Sequence, residues 1–383
     1  MFKVECDMKK KIVILNHGLH ISGVSRALVN LANALARRGY EVTIKLEIPN
    51  FTLASELDDR VKCELFLPEW QVFGKRIPGF LRFYQLFMKL FYKLPRWLLY
   101  SLIVGNNYDV EIGFNRGAAA RVISASSSKT AKKLVWVHND YLLCDGSCAG
   151  FDDEADVRAA YGRFEKIVCV SQQSERSFRK KFGDYESLVT CSNILDFDVI
   201  YKRSTENLLV KTEQVLCAVG RVSMQKNYPM LLEAAALLNK KGIKFTLWIV
   251  GGGTGMDALA AQKDSLGLDN VVLWGAQENP YPYLAQADGY VCSSIYEGLS
   301  TTTIEALVLG KACVVTDCTG MRDILGDSEY GLIVPINAQA LADGMERLLT
   351  DDSLRTHYEK MAAVRAEVYA PEHCIEEIEK LFT

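Results

Sequence analysis

Two carboxylates enclose a polar run in the last third of the chain. The stretch "YEGLSTTTIEAL", residues 296–307, follows an apolar run that is typical of a buried strand. Glu297 is therefore predicted to lie on the loop between that strand and a helix, where a carboxylate would contribute little to packing. Glu305 follows about one turn inside the predicted helix, from where it can point back toward the same loop.

The helix that carries Glu305 is predicted to begin near Ser300 or Thr301, whose hydroxyls can cap free amides, and to end at Gly310. Its N-terminus would offer backbone N–H groups and the positive end of the helix dipole, which suit a diphosphate. The carboxylates would repel a bare phosphate, so we expect them to accept hydrogen bonds from hydroxyls. A nucleotide sugar carries both kinds of group. The residues expected at its diphosphate are Gly298, Leu299, Ser300 and Thr301.

Two cations occur at predicted strand-to-helix loops of the same half of the chain. Arg221 follows the apolar run "VLCAV", and Lys226 precedes a helical pattern. A leaving diphosphate gains negative charge as its bond to the sugar breaks, and cations can stabilise that charge. The alternative is a solvated surface pair. The nearby "VGGGTGMDAL" resembles a dinucleotide fingerprint with Met256 in place of the last glycine, and it is equally compatible with a plain tight turn.

Apolar runs alternate with helical patterns along the chain. Such alternation predicts right-handed βαβ units and parallel sheets, so the fold class is α/β with two doubly wound, Rossmann-like domains facing a central cleft. Ligands bind at the carboxyl ends of the strands in such sheets, which is where the loops described above are predicted. The runs predicted as strands cover residues 11–18, 108–114, 133–138, 166–171, 215–221, 244–253, 270–275, 288–294 and 312–317.

The length of 383 residues also favours two domains over one. The stretch 196–214 is polar and charged and is taken as a linker. The expected organisation is an N-terminal, acceptor-side domain over 1–195 and a linker over 196–214. A nucleotide-sugar donor domain is expected over 215–365, followed by a C-terminal helix over 366–383 that packs back toward the first domain.

Composition excludes several classes of protein. A formal net charge of -3 gives no reason to expect nucleic acid as a partner. The eleven cysteines are odd in number, include no CxxC pair and follow no signal-peptide pattern, so reduced thiols in a cytoplasmic protein are expected. His138, Asp140, Cys144 and Cys148 fit no standard zinc spacing, and neither a metal nor a cofactor is expected.

Three stretches of the second half are similar to the donor domain of the family-4 glycosyltransferases, which are retaining enzymes of GT-B fold. They are "GRVSMQKNYPMLLEAAALL", "GGGTGMDALAAQKDSLGLDNVVLWGA" and "SSIYEGLSTTTIEALVLGKACVVTDCTGMRDIL". The spacing of Glu297 and Glu305 matches the Glu-x7-Glu motif of that family. The resemblance implies that Glu297 contacts hydroxyls of the donor sugar, that Glu305 contacts the ribose, and that Arg221 and Lys226 bind the diphosphate.

Two motifs of the first half resemble the same family. "SGVSRALVNLANAL" is similar to its glycine loop near the donor phosphate, with Gly23 at the turn and Ser22 where a second glycine is common. "WVHND" places His138 where the family has a histidine beside the reacting sugar. The resemblance implies that the leaving phosphate takes the acceptor proton. His138 would then stabilise positive charge through its backbone carbonyl or hold a sugar hydroxyl.

A basic and aromatic segment, residues 72–104, contains no acidic residue. A helix beginning near Gly79 would place Arg82, Gln85, Lys89 and Lys93 in one stripe, and Pro95 would end it. The segment is interpreted either as a helix buried in the first domain or as an interfacial helix on anionic lipid. In the second case residues 79–100 would contact the membrane, with Trp97 and Tyr100 at the headgroup level.

These observations together predict a retaining hexosyltransferase. Its donor would be a nucleotide-diphosphate sugar, with uridine as the base on family frequency alone. Its acceptor would be a glycan or a lipid-linked glycan in cell-surface polysaccharide synthesis at the inner face of the membrane. The alternatives are a mannosyltransferase that uses GDP-mannose, a Rossmann oxidoreductase, which Met256 and the acidic motif disfavour, and a non-catalytic, membrane-associated partner protein.

Overall fold

The computed structural model describes residues 10–66, 91, 93–105, 107–143, 150–206, 211 and 213–383. They divide by contacts into two compact units. The first comprises residues within Met1–Val170, Glu175–Ile194 and Cys374–Thr383, and the second comprises Ser171–Ser174 and residues within Leu195–His373.

The first unit is built on a parallel sheet of seven strands in the order β3-β2-β1-β4-β5-β6-β7. The order reverses between β1 and β4, since both β2 and β4 pair with β1. The strands are Lys11–Asn16 (β1), Glu41–Leu46 (β2), Lys62–Leu65 (β3), Val110–Gly113 (β4), Lys132–Val137 (β5), Lys166–Cys169 (β6) and Leu188–Thr190 (β7).

The second unit has a parallel sheet of six strands in the order β10-β9-β8-β11-β12-β13. Its reversal lies between β8 and β11, which pair directly. The strands are Val215–Val219 (β8), Thr246–Val250 (β9), Val271–Gly275 (β10), Gly289–Cys292 (β11), Cys313–Thr316 (β12) and Leu332–Val334 (β13). Two Rossmann-like α/β units confirm the predicted fold class.

Helices connect the strands in both units. Over the described residues they are Gly23–Arg37 (α1), Arg96–Ile103 (α2), Ala118–Ile123 (α3), Glu154–Tyr161 (α4), Gln172–Phe182 (α5), Phe197–Ser204 (α6), Tyr228–Lys240 (α7), Met256–Ser265 (α8), Tyr281–Gln286 (α9), Thr301–Val308 (α10), Met321–Leu325 (α11), Ala338–Thr350 (α12), Asp352–Ala366 (α13) and Pro371–Lys380 (α14). Short 3₁₀ turns cover Ala54–Glu56, Met224–Lys226 and Glu367–Tyr369.

The central strands of each sheet are buried because helices cover both faces, as continuous apolar runs such as "VLCAV" of β8 require. The side chains of the first core come from β1, β5, α2, α3 and α5, and those of the second from β8, β9, α7 and α12. These two cores hold the strand ends in place, and the candidate site residues lie on the loops that follow.

Close backbone contacts explain the glycines of "VGGGTGM". A Cβ atom on Gly251, whose φ is +147°, would lie 1.9 Å from the carbonyl oxygen of Gly220, and one on Gly253 would lie 2.3 Å from that of Val222. The run is a tight turn that lets the loops after β8 and β9 touch, and α8 begins at Met256 directly after it. Of the two interpretations left open above, the tight turn is the one that these contacts support.

Most of the basic aromatic segment, including Arg82 and Lys89, lies outside the described residues. Pro95 precedes α2, which begins at Arg96. Trp97 is 65% exposed, but Tyr100 is buried and donates a 2.6 Å hydrogen bond from its hydroxyl to Glu111 Oε1. The expectation that Tyr100 lies at a headgroup level was therefore wrong, because its ring belongs to the core. None of the described helices is long and apolar enough to cross a membrane.

The stretch taken as a linker contains α6, which Asp196 caps by accepting a hydrogen bond from the Val199 amide. This helix is part of the second unit. At the other end of the chain, Phe382 is buried against Tyr40, with ring centroids 6.0 Å apart, and its carbonyl accepts a hydrogen bond from Lys10 Nζ. Residues 374–383 therefore pack within the first unit.

Candidate functional site

Lys226 and Glu297 form a buried ion pair in the second unit. Lys226 Nζ lies 2.8 Å from Glu297 Oε1, and the two side chains are 14% and 9% exposed. Lys226 ends the 3₁₀ turn after β8, and Glu297 lies on the loop after β11. Because β8 and β11 are neighbours in the sheet, their following loops meet at its carboxyl edge.

This pairing fixes the charge state of the lysine. Burial disfavours the charged ammonium, but the adjacent Glu297 carboxylate outweighs it, and the pKa of Lys226 is raised well above its usual value. An ammonium and a carboxylate thus stand in contact at the position where sequence reasoning expected a diphosphate and a sugar.

Two further side chains hold the Glu297 carboxylate. Ser294 Oγ, which is fully buried, donates to Oε1 at 2.7 Å. Gln225 Nε2 donates to Oε2 at 3.1 Å and to the carbonyl of Tyr296 at 2.9 Å. Sequence reasoning missed both residues. Ser294 ends the stretch "DGYVCSS" and Gln225 adjoins Lys226, so adjacency to the motifs was the only signal available.

Arg221 differs from Lys226 in its surroundings. Its side chain is exposed after β8, and it forms no ion pair with any residue that the structure describes. The guanidinium therefore stays available to an anionic ligand without breaking a structural contact. The two predicted diphosphate cations lie on the same loop, but one is buried and paired and the other is solvated.

Helix α10 begins as the sequence predicted. It covers Thr301–Val308, and the Ser300 side chain caps it by accepting from the Thr303 amide. Gly310, with φ +67°, follows its end. The loop before it, Gly298 and Leu299, is buried, and the Gly320 backbone approaches so closely that a Cβ there would lie 2.6 Å from the Gly298 carbonyl oxygen.

Glu305 lies inside α10 and is 7% exposed. Its Oε1 accepts a hydrogen bond from the hydroxyl of Tyr281, at 3.3 Å, from the first residue of α9. The buried carboxylate is thus held by a second element, and Tyr281 is another residue that the sequence did not single out.

His138 follows β5 in the first unit and is 8% exposed. Burial lowers its pKa to about 4, although a hydrogen bond with the Phe114 backbone acts in the opposite direction. The ring is therefore neutral at pH 7. Its Nε2 is buried and has no hydrogen-bond partner among the residues that the structure describes, which leaves one polar ring atom to be satisfied by a ligand or a water.

Gly23 is the first residue of α1, and Ser22 caps that helix by accepting from the Ser25 amide. The serine that replaces the second glycine of the loop thus has a structural role at the helix start. Asp140 accepts hydrogen bonds from the Leu142 amide and from Ser177, while Cys144 and Cys148 lie outside the described residues. Within the described part of the chain, no group of three His, Cys, Asp or Glu side chains could hold a metal.

Two family models match the chain in succession. The model described as "Glycosyltransferase Family 4" matches residues 21–198, and that described as "Glycosyl transferases group 1" matches residues 201–365. The chain belongs to the family-4 glycosyltransferases. The first model contains Gly23 and His138, and the second contains Arg221, Lys226, Glu297 and Glu305.

Two curated relatives of this family-4 chain come from Campylobacter jejuni. An N-acetylgalactosamine-N,N'-diacetylbacillosaminyl-diphospho-undecaprenol 4-alpha-N-acetylgalactosaminyltransferase of Campylobacter jejuni is 36% identical over 180 residues, which cover 46% of this chain and 48% of the relative. The match thus spans about half the length of that relative. A second alpha-1,4-N-acetyl-D-galactosaminyltransferase of the same organism is 25% identical, with 97% of this chain and 98% of the relative covered.

Solved structures confirm the GT-B fold. A mutant of Staphylococcus aureus TarM, crystallised with Fondaparinux, alpha-GlcNAc-glycerol and UDP, superposes with a TM-score of 0.77 at 16% identity. The superposition covers 98% of the family-4 chain and 100% of the TarM chain.

Proposed function

We propose that the chain transfers a hexosyl unit from a nucleoside-diphosphate sugar to a glycan or lipid-linked glycan, with retention of configuration, in the synthesis of a cell-surface polysaccharide. The observation that carries the proposal is the buried pair of Lys226 and Glu297 at the carboxyl ends of β8 and β11. A buried ion pair is a costly way to stabilise a fold, so its presence at a ligand-binding edge favours a function.

In this proposal the donor diphosphate binds Arg221 and Lys226. The Arg221 side chain contacts the diphosphate from the solvent side. The Lys226 ammonium has three N–H donors, and Glu297 Oε1 accepts from one of them, so two remain for the diphosphate. The amides at the start of α10 add neutral donors to the same anion. Glu297 then faces hydroxyls of the donor sugar. The Lys226 ammonium beside it offsets the repulsion between the Glu297 carboxylate and the phosphates. Glu305 accepts from the ribose.

The chemical step breaks the bond between the anomeric carbon and the diphosphate oxygen. The acceptor oxygen forms its bond to that carbon on the same face, and its proton passes to the departing diphosphate. Negative charge grows on the leaving group, and the Arg221 and Lys226 cations stabilise it. His138, neutral at pH 7, is suited to holding a sugar hydroxyl or presenting its backbone carbonyl, and it does not supply charge.

Uridine is proposed as the base because TarM was crystallised with UDP. A GDP-mannose donor is the alternative that the sequence left open, and no contact described above reads the base. A non-catalytic partner protein is disfavoured, because Arg221, Lys226, Glu297 and Glu305 are all present and three of them are held in place by hydrogen bonds.

The acceptor is proposed from the names of the relatives, which act on saccharides joined to diphospho-undecaprenol. A lipid-linked acceptor would require contact with a membrane surface. We propose that the segment 79–100 provides this contact, with the exposed Trp97 at its edge and without the buried Tyr100.

A donor screen tests the proposal. UDP, GDP, ADP and TDP sugars are added to the purified protein and its thermal unfolding is followed. A ligand at 100 times its dissociation constant should stabilise the protein by about 2.7 kcal/mol. Stabilisation by UDP-sugars supports the proposed donor, stabilisation by GDP-mannose alone selects the alternative, and no stabilisation by any of them contradicts a nucleotide-sugar site.

A further inference from the structure

The first unit contains a polar pocket that the proposed donor site does not use. Its volume is about 510 Å³, which is within the range of small-molecule sites. The polar residues that line it are His17, Glu47, Asn115, Arg116, Arg121 and Asp152. The pocket lies where β1, β2 and β4 end, at the reversal of strand order between β1 and β4, which is the preferred ligand position in such sheets.

Two arginines supply positive charge on the wall of this pocket. The Arg116 guanidinium lies 6.0 Å from the centre of the Tyr141 ring. Arg121 Nη1 donates to the carbonyl of Gly150 at 2.9 Å, while its Nε is buried with no hydrogen-bond partner within the described part of the chain. Each guanidinium can donate two parallel, charge-assisted hydrogen bonds to the oxygens of a phosphate. A pair of arginines therefore favours a phosphate over a neutral ligand.

A histidine–carboxylate pair lies on the same wall. His17 Nδ1 is 2.7 Å from Glu47 Oε2, and the hydrogen bond to this carboxylate raises the pKa of His17. With Nδ1 engaged, Nε2 is the ring nitrogen left for a ligand. The His17 side chain is 49% exposed and therefore accessible from solvent.

The pocket also contains groups that a bare phosphate would not explain. Glu47 and Asp152 are acidic and Asn115 is an amide, and such oxygens accept hydrogen bonds from sugar hydroxyls. Carboxylates beside arginines repel a free anion but suit a molecule that carries hydroxyls on one part and phosphate on another. The lining therefore matches a sugar phosphate better than a neutral glycan or inorganic phosphate.

We propose that this pocket binds a saccharide joined to a phosphate or diphosphate, with Arg116 and Arg121 on the phosphate and Glu47, Asp152 and Asn115 on the sugar hydroxyls. The binding itself is independent of the transfer reaction. The identification of the pocket as the acceptor site rests on the function proposed above. In that role the pocket selects acceptors by the phosphate of the lipid-linked glycan.

Binding is measured by calorimetry without any donor. The probes are octyl diphosphate-linked N-acetylglucosamine, octyl N-acetylglucosaminide, which lacks the diphosphate, and inorganic diphosphate. The wild-type protein should bind the first probe at least tenfold more tightly than the other two, and this preference should shrink as salt rises. Equal affinity for the two octyl sugars overturns the proposal, and so does binding of inorganic diphosphate as tightly as the first probe.

Two variants locate the site. Arg116→Gln removes a charge-assisted contact and should raise the dissociation constant of the diphosphate-linked probe by 10-fold or more, since such contacts typically contribute a factor of roughly 10 to 150. The matched control is Arg163→Gln, at an exposed arginine after α4, which should leave the dissociation constant of the probe unchanged. Unchanged affinity in folded Arg116→Gln protein overturns the assignment.

UDP binding separates this proposal from the proposed function. Arg116→Gln should leave the affinity for UDP unchanged. If UDP binding is weakened instead, the pocket is a donor subsite and the proposal is wrong. If the wild-type protein binds the diphosphate-linked probe but no nucleotide, the proposed function fails and the pocket assignment stands.

Discussion

Glu297→Gln is expected to destabilise the second unit as well as to slow transfer. The sequence placed this carboxylate on a loop, where its loss would cost little packing. In the structure it is 7% exposed, contacts the Lys226 ammonium at 2.8 Å and accepts hydrogen bonds from Ser294 and Gln225. The substitution keeps the shape of the side chain but leaves Lys226 as a buried charge without its counter-ion.

Removing one partner of a buried pair typically costs 3–5 kcal/mol. We expect about 3 kcal/mol, the lower end, because the glutamine oxygen can still accept from Ser294 and because 14% of the Lys226 side chain reaches solvent. Lys226→Met should cost a similar amount, since it strands the carboxylate. The double variant should lose less than the sum of the two, with a coupling energy of about 2 kcal/mol.

Hydrogen exchange of the β8 and β11 amides measures this loss locally, because a two-unit chain need not unfold in one step. Glu233→Gln, an exposed glutamate on α7, is the control and should leave exchange unchanged. Additive effects of the two single variants, within about 0.5 kcal/mol, would show that the two charges do not stabilise each other.

Three other outcomes are expected. Arg221→Ala should raise the dissociation constant of the donor nucleotide roughly 10- to 150-fold without lowering thermal stability, because the side chain is exposed; equal nucleotide affinity would move the diphosphate site elsewhere. His138 should titrate near 4 by NMR. The unfolded chain takes up this proton near pH 6.5, before the folded chain does. The free energy of unfolding should therefore keep its full value above that pH and fall by about 3 kcal/mol as the pH is lowered toward 4. His138→Asn should remove this part of the pH dependence. The protein should sediment with anionic vesicles at low salt. The triple substitution Arg82→Glu, Lys89→Glu and Lys93→Glu should abolish this sedimentation, since each basic residue is expected to contribute about 1 kcal/mol.

Most of the strands that the sequence predicted carry buried apolar runs, as β1 and β8 do. The edge strand β10 was predicted as well, because its sequence "VVLWG" is a continuous apolar run. The strands β3, β7 and β13 escaped notice because they are short edge strands of three or four residues, and β3 carries Lys62 and Glu64 in its sequence "KCEL". An edge strand is open on one side, so charged side chains are tolerated and a continuous apolar run is not required.

The site residues were predicted individually, but their contacts were not. Spacing identified Glu297 as a loop carboxylate and Lys226 as a loop cation, yet these residues are separated by 71 positions along the chain. Their contact depends on β8 and β11 being neighbours, a strand order that periodicity does not encode. The hydrogen bond from Tyr281 to Glu305 joins α9 to α10 and likewise depends on packing between elements. Ser294 lies only three positions before Glu297, so adjacency was the one signal for its hydrogen bond.

Retaining transfer from a nucleoside-diphosphate sugar is the function proposed for the Lys226–Glu297 site. The most direct measurement incubates the purified protein with α-linked UDP-sugars and a lipid-diphosphate-linked acceptor and assigns the anomeric configuration of the product by NMR. We expect an α-linked product with the wild-type protein and a loss of turnover by orders of magnitude with Glu297→Gln. A β-linked product would exclude retention, and full turnover by the folded variant would exclude a role for Glu297 in transfer.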